Sequence, residues 1–181
     1  KKRKSIIVNG QHINFISSIG KIDFKKLGIK DALLIDSTGI YKEKKQLKLH
    51  LNKYVKKVIL TAPGNSIPNI VYGVNHKKFN IEKENIFSAA SCTTNAIAPI
   101  LYVVNKAKKI TKGHIETIHA YTNDQNLLDN MHGKNRRGRS AAINMVITST
   151  GAGKAISKIM PNLDGKLTAN AIRVPTPNGS L

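Results

Sequence analysis

An α/β fold is predicted by three features of the sequence. Two apolar runs of strand length, Ala32–Ile35 and Val58–Leu60, each end in turn-forming residues, and a stretch of helical spacing lies between them. That strand–helix–strand rhythm indicates a parallel sheet with crossover connections. Beyond Cys92 the pattern changes to longer helices and longer strands, which marks a second unit. The expected boundary lies at Ser88–Ser91, dividing the chain into residues 1–90 and 91–181.

The elements follow in order. Ile6–Val8 and Ile13–Ile16 flank Asn9-Gly10, a dipeptide suited to the left-handed conformations of a tight hairpin turn. Ala32–Ile35 runs into Asp36-Ser37-Thr38-Gly39, and Val58–Leu60 closes at Thr61-Ala62-Pro63-Gly64. From Glu43 to Tyr54, Leu47, Leu51 and Tyr54 fall on one side and lysines on the other, predicting a helix. Ile70–Val74 and Ile86–Phe87 are further strand candidates. A helix is expected from Cys92 to Lys108, a strand over Ile115–Tyr121, and a polar, glycine-containing loop from Asn123 to Arg139. A second helix begins near Thr150-Gly151-Ala152 and ends before Pro161. The last strand, Leu167–Val174, is halted by Pro175 and Pro177. Both ends read as cuts through a larger protein.

Composition narrows the function classes. With 40% hydrophobic residues the 181-residue chain can build a core. Its single cysteine excludes an internal disulfide and fits a reducing compartment, so a cytoplasmic location is expected. No apolar run approaches a membrane span. The net charge of +20 raises nucleic acid or another polyanion as a partner. The charge is mostly lysine, however, spread along the chain with isoleucine and asparagine, residues that share A/T-rich codons. Aromatics are only 5%, so stacking platforms for bases are scarce. No specific nucleic acid and no membrane partner is expected. His12, His50, His76, His114 and His132 show no metal-ligand spacing, and no metal is expected.

Chemistry concentrates around Cys92, in Ser91-Cys92-Thr93-Thr94-Asn95 at the start of a predicted helix. A thiol attacks as its thiolate, which a helix N-terminus favours. A free cysteine also reads as a buried, inert side chain, but the polar, helix-opening context favours a nucleophile. His119, at a strand end, reads as an acid–base group or a structural histidine. Thr150 reads as a helix cap, an anion ligand, or both. The Arg136–Arg139 cluster fits a solvated loop or an anion site. Arg173 lies within an apolar strand, where an unpaired charge is costly, so a bound anion or a carboxylate is expected beside it.

Three segments resemble phosphorylating glyceraldehyde-3-phosphate dehydrogenase. Ser91-Cys92-Thr93-Thr94-Asn95 is similar to its active-site signature, and His119-Ala120-Tyr121-Thr122 to its catalytic-histidine segment. Ser149-Thr150-Gly151-Ala152 and Arg173-Val174-Pro175-Thr176-Pro177 resemble its phosphate-binding elements. Ser37-Thr38-Gly39, Ala62-Pro63 and Gly73-Val74-Asn75-His76 are weaker matches in the same order. Asn123-Asp124-Gln125-Asn126 and Arg136-Arg137-Gly138-Arg139-Ser140 look most like the long variant found in Bacteroidetes.

The resemblance implies the later half of a Rossmann-type nucleotide-binding domain followed by the first part of an α+β catalytic domain. It implies Cys92 as nucleophile and His119 as acid–base. Ser91, Thr93, Thr150 and Gly151 would hold the attacking inorganic phosphate, and Thr122, Arg136 and Arg173 the substrate phosphates. Thr38, Gly39 and Thr61 would contact NAD or NADP. The implied substrate is glyceraldehyde 3-phosphate and the implied assembly a homotetramer. Sister enzymes such as erythrose-4-phosphate dehydrogenase, or an inactive basic remnant that binds polyanions, are the alternatives. The chain departs from the family in lacking a glycine-rich dinucleotide fingerprint, which leaves the choice of NAD or NADP unread. This segment by itself is therefore expected to be inactive. Ile147 and Gly153, where the family usually has proline and alanine, are expected to loosen the segment before the second helix.

Overall fold

A computed structural model describes residues 5–16, 22–134 and 136–181. The basic start, Lys1–Lys4, lies outside them. The order is β1 (Ser5–Val8), β2 (Gln11–Asn14), β3 (Ala32–Asp36), α1 (Lys44–Leu47), β4 (Val55–Leu60), β5 (Ile86–Ser88), α2 (Cys92–Ala107), β6 (Gly113–Ala120), β7 (Val146–Ser149), α3 (Ala152–Ile159) and β8 (Leu167–Val174). The fold is α/β. Strands β3, β4 and β5 form a parallel sheet in that order, whereas β6, β8 and β7 form a mixed sheet with β8 central. Strands β1 and β2 make an antiparallel hairpin, and its turn takes Asn9 and Gly10 at φ 48° and 78°, as the dipeptide predicts. No helix among the described residues is long and apolar enough to cross a membrane.

Two apolar clusters organise these elements. Leu47, Val55, Val58, Leu60, Ile67 and Ile86 pack around the parallel sheet. The second cluster sets Ala98 of α2, Ile115 of β6, and Ile156 and Ile159 of α3 together with Met160 and Leu163. Val71 and Ala90, which precede α2 in the chain, belong to this second cluster, so the approach to Cys92 is anchored in the core that carries α3.

Three segments differ from the sequence expectation. The helix expected over Glu43–Tyr54 is α1 plus a single 3-10 turn, Lys48–His50. Leu51 is extended, and the Asn52 side chain accepts from the N–H groups of Tyr54 and Val55, at 2.8 and 3.1 Å, turning the chain into β4. The strand expected at Ile70–Val74 is a turn. There the Asn75 side chain accepts from Val71 N–H at 2.7 Å and Gly73 adopts φ +84°. Strand β7 has no counterpart in the sequence reading, because four residues give too short a period to separate it from the loop before it. Both residues that depart from the family pattern in this segment have defined neighbours. Ile147 pairs with Ile172 in the sheet, and a Cβ at Gly153 would lie 3.0 Å from the Leu167 carbonyl oxygen, so glycine lets α3 sit close to β8.

Asp36, 2% exposed, closes the carboxyl end of β3. Its Oδ1 accepts from Thr38 N–H and hydroxyl at 3.0 and 2.7 Å, and its Oδ2 lies 3.1 Å from His50 Nε2. Its carbonyl accepts from Thr61 N–H at 3.0 Å. Burial alone would raise the pKa of this carboxyl, but the Thr38 hydrogen bonds and His50 outweigh it and hold it below the usual 3.8. Its stabilisation is therefore present above the unfolded value of 3.8 and lost as pH falls through the lower folded one. Asp36→Asn is expected to cost about 1–3 kcal/mol and to flatten the acid limb of a pH series of denaturant melts. An unchanged acid limb would remove Asp36 from this role.

Candidate functional site

Cys92 is exposed and is the first residue of α2. Several groups fix its position. Ser91 is the N-cap, and its Oγ accepts from Thr94 N–H at 3.1 Å while lying 2.7 Å from Thr94 Oγ1. Asn95 donates to the carbonyls of Ala89 and Ser91 at 2.7 and 2.9 Å. Ala90 between them adopts φ +60°, a conformation that costs an alanine energy, with its N–H held 2.9 Å from Ser88 Oγ. The strained turn lifts the chain out of β5 and presents the thiol at a helix start.

The second component comes from the mixed sheet. Parallel pairing of β6 with β8 sets His119 beside Arg173 in register. His119 Nε2 lies 3.7 Å from Cys92 Sγ. On its far side, Nδ1 lies 2.6 Å from the Ala120 carbonyl oxygen and 2.8 Å from Arg173 Nη1, which also donates to that carbonyl at 3.0 Å. Burial, and then the nearby Arg137 guanidinium, push Arg173 below the ordinary arginine value, while Cys92 draws it back up. Arg173 Nε is buried with no hydrogen-bond partner. Among the described residues no carboxylate pairs with it.

The third component is the start of α3. Gly151 is its N-cap, and Thr150 Oγ1 accepts from Ala152 N–H at 3.3 Å. A cavity of about 330 Å³ joins the three components. Cys92, His119 and Arg173 line it, with Ser91, Thr93, Thr150 and Gly151.

Other predicted residues stand apart from this cavity. Thr122 is exposed, with its N–H donating to Gln125 Oε1 at 2.9 Å. Arg136 is exposed at φ +67°. Its neighbour Arg137 is the buried one, 8% exposed, ion-paired with Asp124 and donating to the Ser149 carbonyl at 3.0 Å. Sequence reasoning missed Arg137, because a run of three arginines in four positions carries no periodicity to say which one turns inward. It also missed Lys154 and Lys158, which line the cavity. Their i, i+4 spacing on α3 was the available signal. Thr38, Gly39 and Thr61 gather instead at the carboxyl ends of β3 and β4, around Asp36. Among the described residues, no three His, Cys, Asp or Glu side chains group as a metal site.

Residues 91–181 match the family model for the glyceraldehyde 3-phosphate dehydrogenase C-terminal domain, which is half of the chain. The chain belongs to the glyceraldehyde-3-phosphate dehydrogenase family. A glyceraldehyde-3-phosphate dehydrogenase-like protein of Pseudomonas aeruginosa is 51% identical over 185 residues, covering 100% of this chain and 40% of the relative. Glyceraldehyde-3-phosphate dehydrogenase 2 of Nostoc is 46% identical, covering 98% of this chain and 53% of that protein. Glyceraldehyde-3-phosphate dehydrogenase 1 of Bacillus subtilis is 42% identical with the same coverage, 98% and 53%. The chain thus spans about half the length of these relatives or less. The matched region holds all the cavity-lining residues predicted from sequence, from Ser91 to Arg173.

Ser91→Ala removes the acceptor for Thr94 N–H and is expected to cost about 1 kcal/mol of stability. Because the cap also sets where the thiol sits, iodoacetamide should label Cys92 more slowly in this variant. A stability loss with an unchanged labelling rate would show that the cap supports the helix without positioning the sulfur.

Proposed function

We propose that this chain carries the reacting centre of an NAD(P)-dependent, phosphorylating oxidoreductase that converts glyceraldehyde 3-phosphate to 1,3-bisphosphoglycerate. The observation that carries the reading is the 3.7 Å approach of His119 Nε2 to Cys92 Sγ at the N-terminus of α2. In this reading the Cys92 thiolate attacks the aldehyde carbon, and the carbonyl oxygen takes up the negative charge. His119 Nε2–H protonates that oxygen, giving a thiohemiacetal.

The environment of His119 serves both directions of proton transfer. An arginine N–H always donates, so the Arg173 contact at Nδ1 places the imidazole proton on Nε2, facing the sulfur and substrate. The Ala120 carbonyl accepts from the alternative Nδ1–H form, in which Nε2 is free to take a proton. His119 can therefore act as acid in forming the hemiacetal and as base when its hydroxyl proton leaves.

The dinucleotide contacts fit Thr38, Gly39 and Thr61. They stand at the carboxyl ends of parallel strands, where such ligands seat. Gly39, at φ +73°, has nothing within 4 Å of where a Cβ would stand, which leaves its face open. NAD(P) held by Thr38, Gly39 and Thr61 would supply the hydride acceptor, and the oxidised carbon would stay on Cys92 as a thioester. A phosphate oxygen then attacks the thioester carbon, the C–S bond breaks and the thiolate returns. Ser91, Thr93, Thr150 and Gly151 hold that phosphate through hydroxyls and helix-start N–H groups. Arg173 holds a substrate phosphate, with Thr122 and Arg136 as further contacts from the loop between β6 and β7.

A division near residue 90 into nucleotide-binding and catalytic parts is supported by the start of the family match at residue 91. A contact surface, read here as part of a homotetramer, is supported by the loop between β6 and β7, where Leu127, Leu128, Met131 and Ile143 are 76%, 75%, 95% and 94% exposed. A cytoplasmic location agrees with an exposed thiol that must stay reduced.

Two variants test the reading in the protein that carries this chain. His119→Asn should lower kcat by roughly 10²–10⁴-fold with little change in KM. An unchanged kcat would remove it from acid–base work. Arg173→Leu should slow turnover of unphosphorylated glyceraldehyde, through the lost His119 contact. Turnover of glyceraldehyde 3-phosphate should fall at least about tenfold further, the value of a charged hydrogen bond. Equal losses on both substrates would contradict the phosphate role.

A further inference from the structure

We propose that Lys154 and Lys158 form a cationic entry lane that captures inorganic phosphate and delivers it to the Cys92 thioester, an inference that rests on the reading above and extends it. The two lysines are four residues apart on α3, so they share one face of the helix, and both line the cavity that holds Cys92. That cavity has no carboxylate in its lining. Asp124, the acid associated with Arg137, is already engaged by Arg137 and Lys134. Among the described residues neither Lys154 nor Lys158 forms an ion pair, and α3 has no acidic residue in its first turn.

Position separates these two from the rest of a lysine-rich surface. Lys158 and Asn69 line both the Cys92 cavity and an adjoining cavity of about 300 Å³ bounded by Gly64, Pro68 and Phe79. A path therefore leads from that surface cleft past Lys158, then Lys154 one turn closer, to Thr150 and Gly151 at the helix start. Along it an anion meets cations at successive turns and ends at the positive end of the helix, in the cavity that holds the sulfur. Asn69 does not compete for the anion, since its side chain is spent on the Gly64 and Ile67 backbone.

Cys92 is the single cysteine, so its alkylation reads the local potential without interference. Iodoacetate and iodoacetamide are nearly the same size and differ in charge. In the Lys154→Gln/Lys158→Gln variant the iodoacetate rate should fall roughly three- to tenfold, while the iodoacetamide rate changes less than about twofold. Added salt should shrink the difference. Inorganic phosphate should also protect Cys92 from iodoacetamide at several-fold higher concentration than in the unaltered chain, and Lys154→Arg/Lys158→Arg should restore both values. Lys44→Gln/Lys45→Gln, with the same change in net charge, should leave the ratio of the two reagents unaltered. An unchanged ratio in the α3 variant, or an equal fall in the α1 control, would overturn the proposal. Slow iodoacetamide labelling of the unaltered chain would count against the thiolate reading instead, since the lysine lane is read from the ratio.

Discussion

The parallel pairing of β6 with β8 is the constraint on which the site depends. It puts His119 and Arg173 side by side, 54 positions apart in sequence, and lets one guanidinium touch both the imidazole and the Ala120 carbonyl. A slip of one residue would send His119 to the opposite face of the sheet, away from Cys92. The register is held by apolar packing. Ile115 on β6 and Ala171 on β8 are buried, and Ile156 and Ile159 of α3 join Ile115 in one core. Hydrophobic burial far from the chemistry thus sets the distance between sulfur and imidazole.

The opposite half of the site is made by local hydrogen bonds. Ser88, Ser91 and Asn95 spend their side chains on the backbone around a left-handed Ala90 and the first turn of α2, and the Thr94 hydroxyl pairs with Ser91 Oγ. Each bond is modest, but together they over-determine a conformation an alanine would leave if unsupported. Neither half is sufficient alone. The turn presents the thiol, the sheet presents the imidazole, and the shared core fixes one against the other. The same division of labour recurs at β3, where buried Asp36 holds Thr38 and Thr61 together at the strand ends.

Much of this was legible in the sequence, for physical reasons that differ by element. Strands β3, β4 and β8 and helix α2 announce themselves by apolar runs or periodicity bounded by turn residues. Asn9-Gly10 specifies its hairpin because few other dipeptides accept two positive φ values. The stretch after α1 misled, since Leu47, Leu51 and Tyr54 keep helical spacing while the Asn52 side chain captures the backbone N–H groups a helix would use. Ile70–Val74 misled in the same way through Asn75. In the site, the residues next to Cys92 and at the start of α3 were readable as helix-start chemistry. The inward turn of Arg137 in place of Arg136 depends on a loop with no pattern of its own. The facing of Lys154 and Lys158 toward the thiol depends on tertiary packing of α3.

In the proposed reading, Cys92, His119 and the start of α3 form one acyl-transfer centre. Acyl transfer from acetyl phosphate tests it without requiring a dinucleotide, because the sulfur attacks the acyl carbon and inorganic phosphate leaves. Mass spectrometry of the chain after exposure to acetyl phosphate should find one acetyl group on the Cys92 peptide, removed again by added inorganic phosphate and absent in His119→Asn. Acetylation confined to lysines, or acetylation of Cys92 that inorganic phosphate does not reverse, would contradict the account.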